Sequence, residues 1–392
     1  MNIKKLRLLF ISTDRDIFRE GSEVRERMRW YASVAEELTI IVFSKKHFEP
    51  AHIAPNCWVY STNSWSRWLY IFDASRIGKR LFKTMEKTQL DLISAQDPFE
   101  CGLAGYFISR TLRVQLHLQI HTDFLSNYFD RGSWLNFFRR CIAWFLFHKK
   151  VTVRAVSERI KSSIFRKMKF RANAYPRIEV FPVWVDRERF KIAKDTVHLH
   201  KKYFGFDLLI LCVSRLEKEK NVDGAIRIIA SAKKRNSEAV IGLVIVGDGS
   251  QKKHLEKLVR SLGLSDRIFF EGEVSDVSPY YKSADMLLVT SYYEGYGRQI
   301  AEAVASGCLV VTRDVGAAKE LISQPNGRVC EEGDEECLIN NVLSLGSGSI
   351  IREQLKNGAR ISAERAINET KEQYLERYKK LLERAFVNND YA

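Results

Sequence analysis

The chain has 392 residues, 45% hydrophobic and 28% charged, which allows two domains and a sizeable core and excludes a disordered or fibrous class. Its net charge of +15 lies wholly in the first half: residues 1–200 hold 35 Lys+Arg against 20 Asp+Glu, whereas residues 201–392 hold 28 of each. Two units with different partners are implied, and no run approaches the ~20 apolar residues of a membrane-spanning helix.

In chain order, LRLLFIS reads as a first β-strand, its apolar run being too short for an export signal. Gly21 and Ser22 then occupy the first strand-to-helix loop. LTIIVFS and LDLISA read as further strands. In DPFECG, Asp97 before Pro98 reads as an N-cap followed by proline at the first helical position. VQLHLQI ends at His121, with His117 four residues earlier on the same face; a packed or capping histidine is the usual reading of either.

Residues 131–171 hold twelve Lys/Arg and one acid, Glu158, interleaved with Trp134, Phe137, Phe138, Trp144, Phe145 and Phe147. A core helix with a basic outer face explains the aromatics. The charge exceeds what packing needs and suits an anionic lipid surface. VTVRAV and RIEVFPV complete the first set of strands. A charged stretch at 185–206 separates them from a second set: DLLILCVS, VIGLVIVG, RIFFEG, MLLVTS and CLVVTR.

Apolar strands alternating with helices predict parallel sheets covered on both faces, and two sets predict two doubly wound domains. The division expected is 1–190 for the first domain and 200–370 for the second. A helical tail at 371–392 packs back on the first, within a segment from Arg352 onward read as helical throughout. The seven cysteines form no CxxC pair and read as thiols in a reducing cytoplasm.

Ligands of open parallel sheets lie beyond the C-terminal strand ends, here the crevice between two facing sheets. After LLILCV, Arg215 and Lys220 flank a strand-to-helix turn. Two cations there suit a diphosphate, although Glu217 and Glu219 also make this an ordinary solvated turn. Gly247-Asp248-Gly249 reads as a turn giving close backbone passage. In SYYEGYGRQIAEAVASG, Glu294 sits on a glycine turn and Glu302 one turn inside a helix. Both could reach a ligand above the helix start, where N–H groups favour anions. A capped surface helix is the competing reading.

The order SRLEKEKN, VIVGDG, FFEGEV, SYYEGYGRQIAEAVASG resembles the C-terminal domain of the family 4 retaining glycosyltransferases, which have the GT-B fold of two Rossmann-like domains facing a central cleft. The resemblance covers about 214–325 strongly and the first half loosely. It implies that Arg215 and Lys220 bind the donor diphosphate and stabilise the leaving group. It implies that Glu302 accepts from the ribose, that Glu294 contacts the donor sugar, and that Gly295, Tyr296, Gly297 and Arg298 hold sugar and phosphate. Gly272 and Val274 would lie near the base. His121 matches the histidine that family members place near the donor sugar. Gly21, Ser22 and Asp97 would border the acceptor. One glycine at 21–22 instead of a pair, and Trp184 where relatives have Asn-Gly, depart from the pattern.

No Asp-x-Asp stands at a strand end and no His/Cys cluster has metal spacing, so neither metal nor cofactor is expected. The function implied is transfer of a sugar from a UDP- or GDP-linked donor to a glycan or lipid-linked acceptor in envelope polysaccharide or glycolipid synthesis. The location expected is cytoplasmic, peripheral on the inner leaflet. Truncating Arg215 or Lys220, both at a strand end, is expected to cost activity and little stability. A nucleic-acid-binding protein using the basic half is the alternative, without any recognised module. A Rossmann oxidoreductase is another, disfavoured because no GxGxxG follows a strand.

Overall fold

The computed structural model describes residues 5–83, 90–130, 133–168, 170, 176–238, 240–324, 326–346, 349–366 and 369–387. The chain divides into two compact units: residues 1–125, 133–182 and 370–392 form the first, and residues 126–132 and 183–369 the second.

The first unit carries eight strands: β1 (Arg7–Ser12), β2 (Glu37–Val42), β3 (Ala51–Ala54), β4 (Cys57–Ser61), β5 (Leu92–Ala95), β6 (Gln115–Ile120), β7 (Thr152–Ala155) and β8 (Arg177–Val180). Their order is β3-β4-β2-β1-β5-β6-β7-β8. All pairs are parallel except β3 with β4. That antiparallel edge hairpin corrects the reading of an all-parallel sheet. Its strands are short, and the Pro55-Asn56 turn between them is too tight for a crossover.

The second unit carries β9 (Leu208–Val213), β10 (Ile241–Val246), β11 (Ile268–Gly272), β12 (Met286–Val289), β13 (Leu309–Arg313) and β14 (Gly327–Cys330) in the order β11-β10-β9-β12-β13-β14, parallel throughout. Alternation along each strand sends Leu208, Ile210, Cys212, Leu243, Ile245 and Leu288 to one core. Leu209, Leu211, Val244, Leu287 and Val289 go to the other. Burial on both faces is why these strands are apolar without a gap.

In each sheet the strand order reverses once. The reversal falls between β1 and β5 in the first unit and between β9 and β12 in the second. Loops leaving such a pair part in opposite directions and open a crevice at the C-terminal strand ends. The loops after β1 and β5 carry Gly21, Ser22 and Asp97; those after β9 and β12 carry Arg215, Lys220 and Glu294.

Two further corrections concern the second half. The tail is not one helix: Ser349–Ala366 and Lys371–Val387 are separate, and only the latter belongs to the first unit. Of the cysteines, Cys330 at the end of β14 and Cys337 in the helix Glu335–Gly346 form a disulfide, with Cα atoms 5.8 Å apart. The strand-to-helix turn brings the two together, which a spacing of seven does not advertise. Cys57, Cys101, Cys212 and Cys308 are buried thiols and Cys141 is exposed.

At the start of β12, Asp285 is 5% exposed and accepts from His200 Nε2 at 2.9 Å, the Leu209 N–H at 2.8 Å and Lys356 Nζ at 2.7 Å. Burial alone would raise its pKa, but these donors outweigh it and hold the carboxyl at about 2. A depressed carboxyl stabilises the fold above its unfolded pKa of about 3.9 and loses that contribution as pH falls through its folded value. Asp285→Asn is therefore expected to lose about 2 kcal/mol of stability at neutral pH. In urea titrations the gap between wild type and variant should close between about pH 4 and pH 2.

Candidate functional site

The site is built on the loop after β9. Gly247, at φ +135°, passes so close that an added Cβ would lie 1.9 Å from the Ser214 carbonyl oxygen. A Cβ on Gly249 would lie 2.6 Å from the Leu216 oxygen. The two glycines give the backbone clearance expected of that turn, and the Leu216 N–H donates to the Asp248 carbonyl at 2.9 Å. One 3₁₀ turn, Lys218–Lys220, then leads to Asn221 in the left-handed region at φ +49°, before the helix Val222–Arg235.

This loop is laced to the one after β12. The Tyr292 N–H donates to the Glu219 carbonyl at 2.9 Å. Asn221 Nδ2 donates to the Thr290 carbonyl at 3.0 Å, and Thr290 Oγ1 returns a bond to the Asn221 carbonyl at 2.8 Å. Across this lacing Lys220 Nζ meets both Glu294 oxygens, at 2.7 and 2.9 Å. Glu294 Oε1 also accepts from Ser291 Oγ and Gln299 Nε2, both at 2.9 Å. Lys220 is 15% and Glu294 8% exposed at the side chain.

Glu294 sits on the loop and Glu302 inside the helix Arg298–Ser306, as its glycines dictate. Gly297 forms the N-cap at φ +81° with no side chain capping the helix. Gly316 lies against that turn: its Cβ would be 2.5 Å from the Tyr296 oxygen, and the Ala317 N–H donates to the same oxygen at 2.9 Å. Glu302 Oε2 accepts from Tyr281 OH at 3.1 Å, while its Oε1 lies 3.3 Å from Arg298 Nη2. Burial first, then the Glu302 charge, drives the Tyr281 phenol well above its ordinary pKa, so it stays a donor.

Arg215 is different. Its side chain is 73% exposed and pairs with Glu219 at 3.1 Å. Gly272, at φ +76°, ends β11 and accepts from the Gly247 N–H at 2.7 Å; Val274 packs partly buried against the second core. The sequence reading passed over Asn221, Tyr281, Ser291, Gln299 and Tyr292. Tyr292 lies between the Arg313 guanidinium, 5.5 Å from its ring, and the Tyr128 ring, stacked at 4.4 Å. Asn221 was findable, since asparagine before a helical run signals a special turn. The others became visible only when separate strand ends met.

In the first unit, His121 follows β6 and its Nε2 lies 3.3 Å from Gln119 Oε1. Surrounding protein, then Arg154 and Arg27, lower its pKa, although the residue as a whole keeps an exposed surface. His117 is buried and bonded to Thr152 Oγ1 at 3.0 Å, which makes it a packed residue. Ser22 caps the helix Glu23–Ser33 and donates to the Asp16 carbonyl at 2.6 Å, with Gly21 beside it at φ +73°. Asp97 is not the N-cap read from DPFECG. The helix Glu100–Leu112 starts after Phe99, and Asp97 accepts from the Phe99 and Cys101 N–H groups at 2.8 and 3.2 Å. Trp184 lies two residues inside the second unit.

The basic segment is less basic at its surface than its composition. Arg154 is fully buried, Arg139 pairs with Glu100 at 3.0 Å and Arg159 with Asp123 at 3.7 Å. Residues 131, 132, 169 and 171 of that segment lie outside the described residues. Of its aromatics, Trp134, Phe137, Phe138 and Trp144, on and beside the helix Leu135–Phe147, are more than half exposed, whereas Phe147 is a buried core residue. No helix among the described residues is long and apolar enough to cross a membrane. Among the same residues no group of three or more His, Cys, Asp or Glu is placed to hold a metal.

Residues 200–362 match the family described as "Glycosyl transferases group 1". The alpha-monoglucosyldiacylglycerol synthase of Streptococcus pneumoniae is 26% identical over 247 residues, 60% of this chain and 54% of that protein. The lipopolysaccharide core biosynthesis mannosyltransferase LpcC of Rhizobium leguminosarum bv. viciae is 34% identical over 134 residues, 33% of this chain and 38% of that one. The chain thus spans about half or less of the length of these curated relatives. Among solved structures, sucrose-phosphate synthase from Thermosynechococcus elongatus has a TM-score of 0.78 at 16% identity, covering 97% of this chain and 99% of that one. Anabaena HepE in complex with UDP-glucose has a TM-score of 0.73 at 19% identity, covering 97% and 100%.

The Lys220–Glu294 pair corrects one expectation. Lys220 is no free strand-end cation, so its removal would leave a buried carboxylate unpaired. Lys220→Ala is expected to lose about 3 kcal/mol of stability in chemical denaturation, whereas Arg215→Ala should stay within about 0.5 kcal/mol of wild type. Equal losses would contradict this division. The chain has the two-Rossmann-like GT-B fold, and its residues 200–362 are similar to the glycosyl transferases of group 1.

Proposed function

We propose that this protein is a metal-independent retaining glycosyltransferase of family 4. It transfers a sugar from a UDP- or GDP-linked donor to a glycan or lipid-linked acceptor in envelope polysaccharide or glycolipid synthesis. The observation that carries this reading is the Lys220–Glu294 bond. It brings the cation of one strand-end loop and the acid of the next to the start of a helix that no side chain caps.

A donor diphosphate placed there would meet Lys220, Arg215 and the N-terminus of Arg298–Ser306, which together stabilise the charge that develops as the glycosyl C–O bond breaks. Arg215, largely exposed and tethered to Glu219, would swing onto the phosphate. Glu294 would accept from donor-sugar hydroxyls and Glu302 from the ribose, with Arg298 and Tyr281 fixing the latter carboxylate. Gly272 and Val274 would border the base, and His121 the sugar. Gly21, Ser22 and Asp97 would line the acceptor side. Among the described residues no carboxylate is singled out as a nucleophile, and the reading favours attack by the acceptor oxygen on the face that the diphosphate leaves, with its proton passing to the departing phosphate oxygen. The resemblance to family 4 supports retention.

The donor reading is tested by thermal unfolding with UDP, GDP and their sugars. One nucleotide series is expected to raise Tm. Glu302→Ala should abolish the shift from the free nucleoside diphosphate, and Glu294→Ala should preserve that shift while damaging turnover. Protection by neither series, or identical behaviour of the two variants, would refute the assignment.

The exposed aromatics of Leu135–Phe147, with Arg140, Lys149 and Lys150 beside them, support peripheral attachment to an anionic cytoplasmic leaflet. Each cation near such a surface contributes about 1 kcal/mol, so binding should fall as salt rises. The protein is expected to sediment with anionic liposomes at low salt and much less with neutral ones. Reversing Arg140, Lys149 and Lys150 to Glu should remove sedimentation while the nucleotide-induced Tm shift persists. Unchanged sedimentation would make the patch a solvated face.

A further inference from the structure

The face of the first sheet covered by Glu23–Ser33 and Lys371–Val387 holds a column of buried polar residues where packing alone would favour aliphatics. Register sets Ser94 beside His117, His117 beside Thr152 and Gln119 beside Arg154. Arg154 is 1% exposed and donates to the Phe181 carbonyl at 3.0 Å, the Pro182 carbonyl at 2.9 Å, Gln119 Oε1 at 2.9 Å and Tyr374 OH at 3.2 Å. These acceptors are all neutral, and the Phe181 and Tyr378 rings lie 5.0 and 5.4 Å from its guanidinium carbon. A buried guanidinium without a carboxylate costs several kcal/mol of desolvation that an apolar residue would avoid.

Gln119, also 1% exposed, has no freedom in this network. A guanidinium only donates, so the amide oxygen must face Arg154. The amide nitrogen then donates to Ser94 Oγ at 2.8 Å and Tyr378 OH at 3.2 Å. His121 Nε2 stands 3.3 Å from that same oxygen, so the ring nitrogen has to be the donor. The ring is thereby left with its proton on Nε2 and a lone pair on Nδ1.

We propose that Gln119 is a positioning residue that, clamped by Arg154, holds His121 as the neutral Nε2–H tautomer with Nδ1 presented as a hydrogen-bond acceptor. This rests on the reading of His121 as a contact of the donor sugar, whose hydroxyl would donate to Nδ1. His121 then works as a fixed acceptor and not as a proton donor. The charged and titratable groups facing the ring agree. Arg154 on β7 and Arg27 on the helix Glu23–Ser33 both oppose a positive imidazole; Tyr31 of that helix lies beside Arg154, and burial raises the phenols of Tyr374 and Tyr378 on Lys371–Val387, which stay neutral there.

The test is ¹⁵N NMR of the histidine rings in the full chain without ligand, with His121 assigned from the spectrum of His121→Gln. The wild-type ring is expected to show the single Nε2–H tautomer and no titration between about pH 5 and 8. Gln119→Glu is isosteric, and the hydroxyls of Ser94 and Tyr378 can turn to donate. It puts a carboxylate on His121 Nε2 and should raise the ring's proton affinity at least tenfold. Gln119→Met removes the acceptor and should yield mixed tautomers. A wild-type ring titrating near the ordinary histidine value, or ring shifts unchanged in both variants, would overturn the proposal. Turnover separates this from the reading beneath it. If His121→Ala loses turnover while the tautomer ignores Gln119, the positioning fails alone. If the tautomer obeys Gln119 and His121→Ala turns over at the wild-type rate, the sugar contact fails.

Discussion

The candidate site depends on one ion pair between loops that are 74 residues apart in sequence, Lys220 with Glu294. Both side chains are largely shielded, so the pair is strong enough to fix two strand-end loops and too costly to leave half-made. The pairing is possible because β9 and β12 are neighbours at the point where the strand order reverses. Their shared register covers only Met286–Ile210 and Leu287–Leu211, and beyond it the strands part. The side chains of Asn221 and Thr290, each bonded to the other's carbonyl, and the Tyr292 N–H on the Glu219 carbonyl close the gap that opens.

The same pair bears on the proposed chemistry. Lys220 is neutralised by Glu294, and Glu302 is held by Tyr281 and Arg298. A diphosphate arriving beside Lys220 would exchange part of one ion pair for another instead of meeting a bare cation, so the charge is ordered in advance. Arg215 is the contrast, exposed on a short tether to Glu219. One cation is fixed by its partner, and the other stands on an exposed tether.

The first unit solves a different problem with buried polarity. Within LHLQIH and VTVRAV, Gln119 and Arg154 join Ser94, Tyr374 and Tyr378 in one hydrogen-bonded network, while His117 pairs separately with Thr152. Arg154 ties β7 through Phe181 and Pro182 to the chain beyond β8 and through Tyr374 to the last helix. The return of Lys371–Val387 to the first unit therefore has a specific polar anchor as well as the stacking of Tyr378 on Tyr31 at 4.4 Å. A guanidinium can serve as this anchor because its planar donors reach several carbonyls at once.

Sequence by itself determined the features that local chemistry controls. Eleven strand-like runs became parallel-sheet strands because strands covered on both faces carry mostly apolar residues. Glu294 fell on a loop and Glu302 inside a helix because Gly295 and Gly297 do not continue one. The hairpin β3–β4, the strand β14, the Cys330–Cys337 disulfide and the break after Ala366 went unread, since short edge elements carry too few residues for a periodic signal. Tertiary structure alone decided partners. That Lys220 binds Glu294, that Arg139 is spent on Glu100, that Arg154 is core and not surface, and that Gln119 faces His121 all depend on which strands are neighbours. Composition counts a charge wherever it stands, but burial and distance fix what that charge does, and both arise only when residues remote in the chain meet.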